Sequence, residues 1–171
     1  MPKPFPDAPG SGMHVFQQIA SYPDGEDLLS DPNAADGISE LARRVIAGLL
    51  GHAPGMSVIA CTTVNSYKRL DAGHRAPRHA SWARVSQASL VRVPSTYESA
   101  RADIELRSPD AVTNPYLLFA ATLGAALNGI ADDEEPTPPL DELLVQYDDD
   151  ELNRLGVPRL PTTLGEAIDV F

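Results

Sequence analysis

The stretch Gly10-Ser11-Gly12-Met13-His14-Val15-Phe16-Gln17-Gln18 is where the chain first commits to a structure. Small residues make a turn, and the residues after the turn alternate. Met13 and Val15 fall on one side, His14 and Phe16 on the other, which is the period of a strand over 12–18. Residues 102–107 answer it. Ile104 and Leu106 point one way, while Asp103, Glu105 and Arg107 point the other. Glu105 and Arg107 therefore share a face and offer a carboxylate and a guanidinium side by side to one ligand pocket. His14 stands on a strand face too, and together His14 and Glu105 form a nitrogen and oxygen donor pair that Mg²⁺ or Mn²⁺ accepts. Two ligands are too few for a tight site, so phosphate, water or another chain would have to complete it.

Working outward, Ile38, Leu41, Ala42, Val45, Ile46 and Leu49 recur at helical spacing. Asp36 or Gly37 is placed to cap that helix, Gly51 to close it, and Pro54 to come after it. Residues 56–60 read as a short buried strand and 61–80 as irregular, broken by Asn65, Asp71, Gly73 and Pro77. Residues 88–93 read as a further strand. Asn114-Pro115 is a helix start, with Asn as the cap and Pro at the first helical position. The helix to Asn128 is apolar nearly all round, which predicts burial in the core, with Gly129 ending it. Residues 131–151 are acidic and rich in Pro, which predicts a mobile segment with Asp148 to Glu151 in a solvated loop. Leu164 to Val170 is a last short helix capped by Thr162 or Thr163. Trp82 and Tyr116 are expected in the core or at an interface. The sum is one α+β domain over 1–171: a mainly antiparallel sheet backed by helices.

Composition narrows the function classes. No run approaches the roughly 18 apolar residues of a membrane span, no basic-then-apolar leader comes after Met1, and the expected location is cytoplasmic. The single cysteine, Cys61, excludes an internal disulfide and a cysteine metal cluster. No Gly-x-x-x-x-Gly-Lys phosphate loop is present. The net charge of −11 is uneven: residues 131–171 carry 12 acidic and two basic side chains, whereas 65–107 carries eight basic and four acidic. Arginine outnumbers lysine 11 to 2, which suits fixed recognition of carboxylate or phosphate and not nucleic acid. Arg69, in the polar loop 65–70, is a candidate to hold such an anion. Arg92, among Leu90, Val91 and Val93, needs an anionic partner if buried. Asp outnumbers Glu 15 to 9, which with the arginine bias points to a salt-adapted source.

Several strings, in order, resemble the glutamine synthetase family. They are Met1-Pro2-Lys3-Pro4, Gly10 to His14, Ile46 to Pro54, Thr63 to Leu70, Ile104 to Arg107, Pro109-Asp110, Asn114 to Leu117, and Leu160-Pro161 to Ala167. The order is collinear over the whole chain, and the acidic closing part is most similar to archaeal-type members. The resemblance implies the C-terminal part of a catalytic domain, begun at an internal methionine. It implies ATP-dependent joining of glutamate to ammonia with two divalent metals, Mg²⁺ or Mn²⁺. Carried over residue by residue, His14 and Glu105 correspond to ligands of one metal. Arg69 and Arg107 correspond to glutamate-binding residues, and Arg92 to a residue at the nucleotide phosphates.

The chain also departs from the family pattern. Phe16 stands for a histidine, Pro9 for an asparagine and Arg75 for a glutamate in the Gly73-His74-Arg75-Ala76-Pro77 loop. Gln87 and Asp103 stand for arginines. The upstream metal-binding glutamates have no counterpart. The expectation is a truncated, divergent catalytic-domain part, inactive alone, with no catalytic residue assigned. The alternatives are a non-enzymatic subunit or modulator working with full-length glutamine synthetase subunits, or a ligase joining glutamate to another amine.

Overall fold

Ser39 opens the longest element: its hydroxyl accepts from Ala42 N at 3.1 Å and donates to the Leu28 carbonyl at 2.7 Å. The structure is a computed structural model that describes residues 1–71, 76–94, 101–141 and 147–171. From Ser39 the helix α1 runs Glu40–Ala60. It passes through Gly51 and Pro54, which local sequence rules would place at its end and beyond it. Met56, Ser57 and Ala60 are buried at helical spacing, so residues 56–60 are helix and not strand. Packing of that last turn outweighs the backbone bond that Pro54 cannot donate. The Cys61 N–H closes the end on Ser57 O at 2.8 Å.

A second helix, α2 (Val64–Asp71), lies in the stretch whose breakers predict irregular chain. Its start has a reciprocal cap, with Ser66 N donating to Thr63 Oγ1 at 3.3 Å and Thr63 N to Ser66 Oγ at 3.2 Å.

The strands are β1 (Val15–Gln17), β2 (Trp82–Ala83), β3 (Val91–Arg92) and β4 (Ile104–Leu106), in the order β1-β4-β3-β2 among the described residues. β4 runs antiparallel to both β1 and β3, and β2 is parallel to β3. The mainly antiparallel sheet backed by helices is the α+β arrangement read from the sequence. Ile104 and Leu106 are fully buried, and the side chains between them take the opposite face.

Helix α3 (Pro115–Ala131) is capped by Asn114, whose side chain accepts from Tyr116 N and Leu117 N. It continues past Gly129. It is also not buried all round. Leu118, Thr122, Ala125, Ala126 and Gly129 are buried, while Tyr116, Leu117, Phe119, Leu123 and Leu127 are exposed. Tyr116 is therefore outside the core, and Trp82 is within it.

Asp148 to Glu151 is not loop but the capped start of α4 (Asp149–Arg154), with a complete capping box. Nearer α3, the acidic segment is fixed to β2. Trp82 Nε1 donates to Thr137 O at 2.5 Å, and Asp141 Oδ1 accepts from Arg84 N and Val85 N at 2.7 Å each. The last helix, α5 (Leu164–Asp169), takes its cap from Thr163 and buries Ala167. No helix among the described residues is long and apolar enough to cross a membrane.

Candidate functional site

Sheet register assembles the site. Glu105 on β4 lies opposite Phe16 of β1 and Arg92 of β3. His14 and Arg107 are each two residues further along their strands, so strand periodicity places them on the same face. The side chains converge there. Glu105 Oε1 lies 2.8 Å from His14 Nδ1 and accepts from Arg107 Nη1 at 2.8 Å, while Oε2 accepts from Arg92 Nε at 2.5 Å. Glu105 is fully buried and Arg107 nearly so, Arg92 is half-buried, and His14 forms the open side. The anionic partner that Arg92 requires is Glu105.

Burial holds the His14 imidazole below its usual 6.5, the Arg107 and Arg92 charges push the same way, and Glu105 opposes them. Burial likewise lowers Arg107, against the pull of Glu105. At neutral pH, with His14 uncharged, the cluster is two guanidiniums on one carboxylate. Arg107 Nε is buried with no hydrogen-bond partner.

Arg69 belongs to a neighbouring place. Its guanidinium donates to the carbonyl of Ser108, just beyond Arg107, and its side chain lies against the Gly10-Ser11-Gly12 turn. A Cβ on Gly10 would fall 2.6 Å from Arg69 Cγ, and one on Gly12 2.7 Å from Arg69 Nη1. Glycine at both positions is what allows the turn to close over the arginine, and Met13 N then ties the turn to Pro109 O at 2.8 Å. The fully buried Asp110 carries no local sequence signal of a site; its Oδ1 accepts from Val112 N at 3.0 Å and its Oδ2 has no partner. Cys61, fully buried, is pushed up to about 12 by burial, which removes it as a nucleophile.

A second charged group also lacks a sequence signal. His79 Nε2 lies 3.2 Å from Asp149 Oδ1, and Arg159 Nη1 lies 3.3 Å from Asp149 Oδ2. These contacts fasten α4 to the chain before β2. The residues that make them are 70 and 10 positions from Asp149 in sequence, so no local pattern announces them.

His14 and Glu105 do not by themselves fit a divalent metal. Among the described residues no group of three His, Cys, Asp or Glu side chains is placed to hold one. Both oxygens of Glu105 are engaged by guanidiniums, so a cation bound there would displace or face two positive charges. Arg75 and its loop neighbours Gly73 and His74 lie outside the described residues.

Comparison with known proteins identifies the family. The chain matches the family described as glutamine synthetase, catalytic domain, over residues 1–171. It is 41% identical over 169 residues to the glutamine synthetase of Pyrococcus abyssi, covering 99% of this chain and 37% of that protein. It is 39% identical over 168 residues to that of Halobacterium salinarum, covering 98% and 37%. With that of Mycolicibacterium smegmatis the identity is 40% over 170 residues, covering 99% and 35%. The chain thus spans little more than a third of the length of these relatives. It belongs to the glutamine synthetase family, as a portion of the catalytic domain.

Proposed function

We propose that this chain is a catalytic-domain portion of the glutamine synthetase family that keeps the scaffold of the site and does not by itself join glutamate to ammonia. The observation that carries this reading is the engagement of Glu105. The carboxylate that family resemblance makes a metal ligand is held on both oxygens by Arg92 and Arg107. The same two arginines are the ones the resemblance assigns to nucleotide phosphate and to glutamate. In this arrangement ligand, substrate and nucleotide residues satisfy one another.

ATP-dependent activation of a carboxylate depends on neutralising charge that builds between nucleotide and acceptor, and divalent ions supply most of that in such enzymes. Among the described residues, His14 and Glu105 are two donors where a metal site needs more. Phe16 occupies the strand position opposite Glu105, with an apolar ring in place of the imidazole of the family pattern. Asp103, two residues before Glu105, accepts from Gln18 Nε2 at 2.5 Å and adds a negative charge where the family has an arginine. Electrostatic stabilisation is the largest catalytic contribution in reactions of this kind, so these losses compound.

The test is a γ-glutamyl-hydroxamate assay on the purified chain, paired with a Mn²⁺ titration followed by electron paramagnetic resonance. The expected result is no turnover above the uncatalysed background and no saturable Mn²⁺ site at millimolar metal. Turnover comparable with a full-length relative, or a micromolar Mn²⁺ site that Glu105→Gln abolishes, would overturn the reading.

A further inference from the structure

Among the described residues the buried acidic and basic side chains are Arg69, His79, Glu105, Arg107 and Asp110. Glu105 and Arg107 hold each other, and His79 meets Asp149. Arg69 and Asp110 are left over, one of each sign. Arg69 donates to the neutral carbonyl of Ser108, and its Nε has no partner. Asp110 Oδ1 accepts from Val112 N at 3.0 Å, and its Oδ2 has no partner. A buried charge without a counter-charge is strongly destabilising.

The two lie around one point. The Ser108 carbonyl accepts from Arg69 and from the Cys61 thiol, the latter at 3.3 Å. Two residues on, Asp110 N donates at 3.3 Å to Ala60 O, the carbonyl just before Cys61. The Cys61 thiol feels both charges. After burial, the strongest influence on it, Arg69 lowers it and Asp110 raises it. The turn at Val112 does not explain the carboxylate, because an asparagine oxygen would accept from Val112 N without bringing a charge inside. The buried cation that lacks a carboxylate is Arg69. In a low-dielectric interior, opposite charges act on one another without a direct hydrogen bond.

Arg69 also sits where its placement matters. Gly10 and Gly12 close over its side chain, and Met13 N holds that turn to Pro109 O at 2.8 Å. Residues 108–110 thus supply, in succession, the carbonyl that holds the guanidinium, the carbonyl that holds the turn, and a carboxylate.

We propose that Asp110 is the counter-charge of Arg69 and a positioning residue for it, holding the guanidinium against Ser108 and beneath the Gly10–Gly12 turn. The role does not depend on whether the chain turns substrate over. Turnover in the hydroxamate assay would defeat the inactive reading and leave this one. Energetic independence of Arg69 and Asp110 would do the reverse.

Asp110→Asn tests it, because the amide keeps the acceptor for Val112 N and removes only the charge. Chemical denaturation of the full chain, Asp110→Asn, Arg69→Met and the double variant completes a double-mutant cycle. Asp110→Asn is expected to lower the folding equilibrium constant at least ~10-fold more in the wild-type background than in Arg69→Met. Nitrogen-15 NMR gives the positional readout. Exchange of the Arg69 Nε–H with water is expected to quicken at least ~10-fold in Asp110→Asn, while the Val112 amide stays protected. A role in the turn alone predicts neither result. If either single variant fails to fold, the double variant is still expected to fold, since it buries neither charge. Additive effects, an unchanged Arg69 exchange rate, or a double variant that does not fold would each overturn the proposal.

Discussion

Gly48 and Gly129 touch backbone to backbone, with an added Cβ on Gly48 lying 2.9 Å from Gly129 N. The neighbours at this crossing are main-chain atoms of the facing helix, which cannot turn aside as a side chain can. Gly48→Ala or Gly129→Ala is therefore expected to push α1 and α3 apart and destabilise the fold by about 3 kcal/mol, the upper end of ordinary overpacking. Urea unfolding checks it. Gly124→Ala is the control, because a Cβ there meets nothing within 4 Å, and it is expected to be neutral or slightly stabilising.

Glu105 is fully buried and joins β1, β3 and β4 through His14, Arg92 and Arg107. Glu105→Gln preserves shape and leaves two guanidiniums without their counter-charge. Removing one partner of a buried ion pair costs about 3–5 kcal/mol, and a loss of that size is expected in chemical denaturation. Added Mn²⁺ is expected to leave the midpoints of both wild type and variant in place, since the carboxylate acts here as a counter-ion.

The pH dependence of stability should carry the signature of His79. Burial is the largest effect and holds its imidazole below the usual 6.5, against the pull of Asp149. The unfolded chain then takes up the proton first as pH falls. Stability that is fully present above 6.5 is lost progressively below it. Asp27 and Asp36 are lowered from 3.8 even though burial opposes the shift. Hydrogen bonds outweigh burial, from the Ser30 side chain and backbone amides to Asp27 and from Arg43 and backbone amides to Asp36. Their contribution is lost only in more acid solution. Thermal midpoints are expected to fall between about pH 7.5 and about pH 5.5. His79→Gln is expected to flatten that fall in part, with His14, shifted the same way, supplying the rest. A midpoint that rises on acidification would contradict the assignment.

The acidic surface makes a prediction about salt. With a net charge of −11 and 12 acidic side chains beyond residue 130, self-repulsion opposes the compact state, and screening relieves it. The thermal midpoint is expected to rise from low to multimolar KCl. An unchanged midpoint would count against salt adaptation.

Much of the site is legible in the sequence because strand periodicity is local. The alternation at 13–16 and 103–107 places His14 on one face of its strand and Glu105 with Arg107 on one face of theirs. The isolation of Arg92 among apolar neighbours announces an ionic partner. That the partner is Glu105 is not legible, because pairing register between β3 and β4 is a long-range property. Helix ends mislead where a breaker is read alone. Pro54 and Gly51 sit inside α1 because Met56, Ser57 and Ala60 gain more from packing than the backbone loses. Gly129 does not end α3; it serves a helix crossing that no local pattern records.

The sequence by itself determined the family, the α+β class and the residue types of the charged cluster, because spacing and ordered motifs are properties of the chain. Only the tertiary structure decided what those residues do to one another. Register brought Arg92, Arg107 and His14 onto a single carboxylate. The close approach of Gly48 and Gly129 fixed which side of an all-apolar helix is core and which is exposed. Both outcomes depend on distances between segments remote in sequence, which residue order constrains only through the packing of the whole.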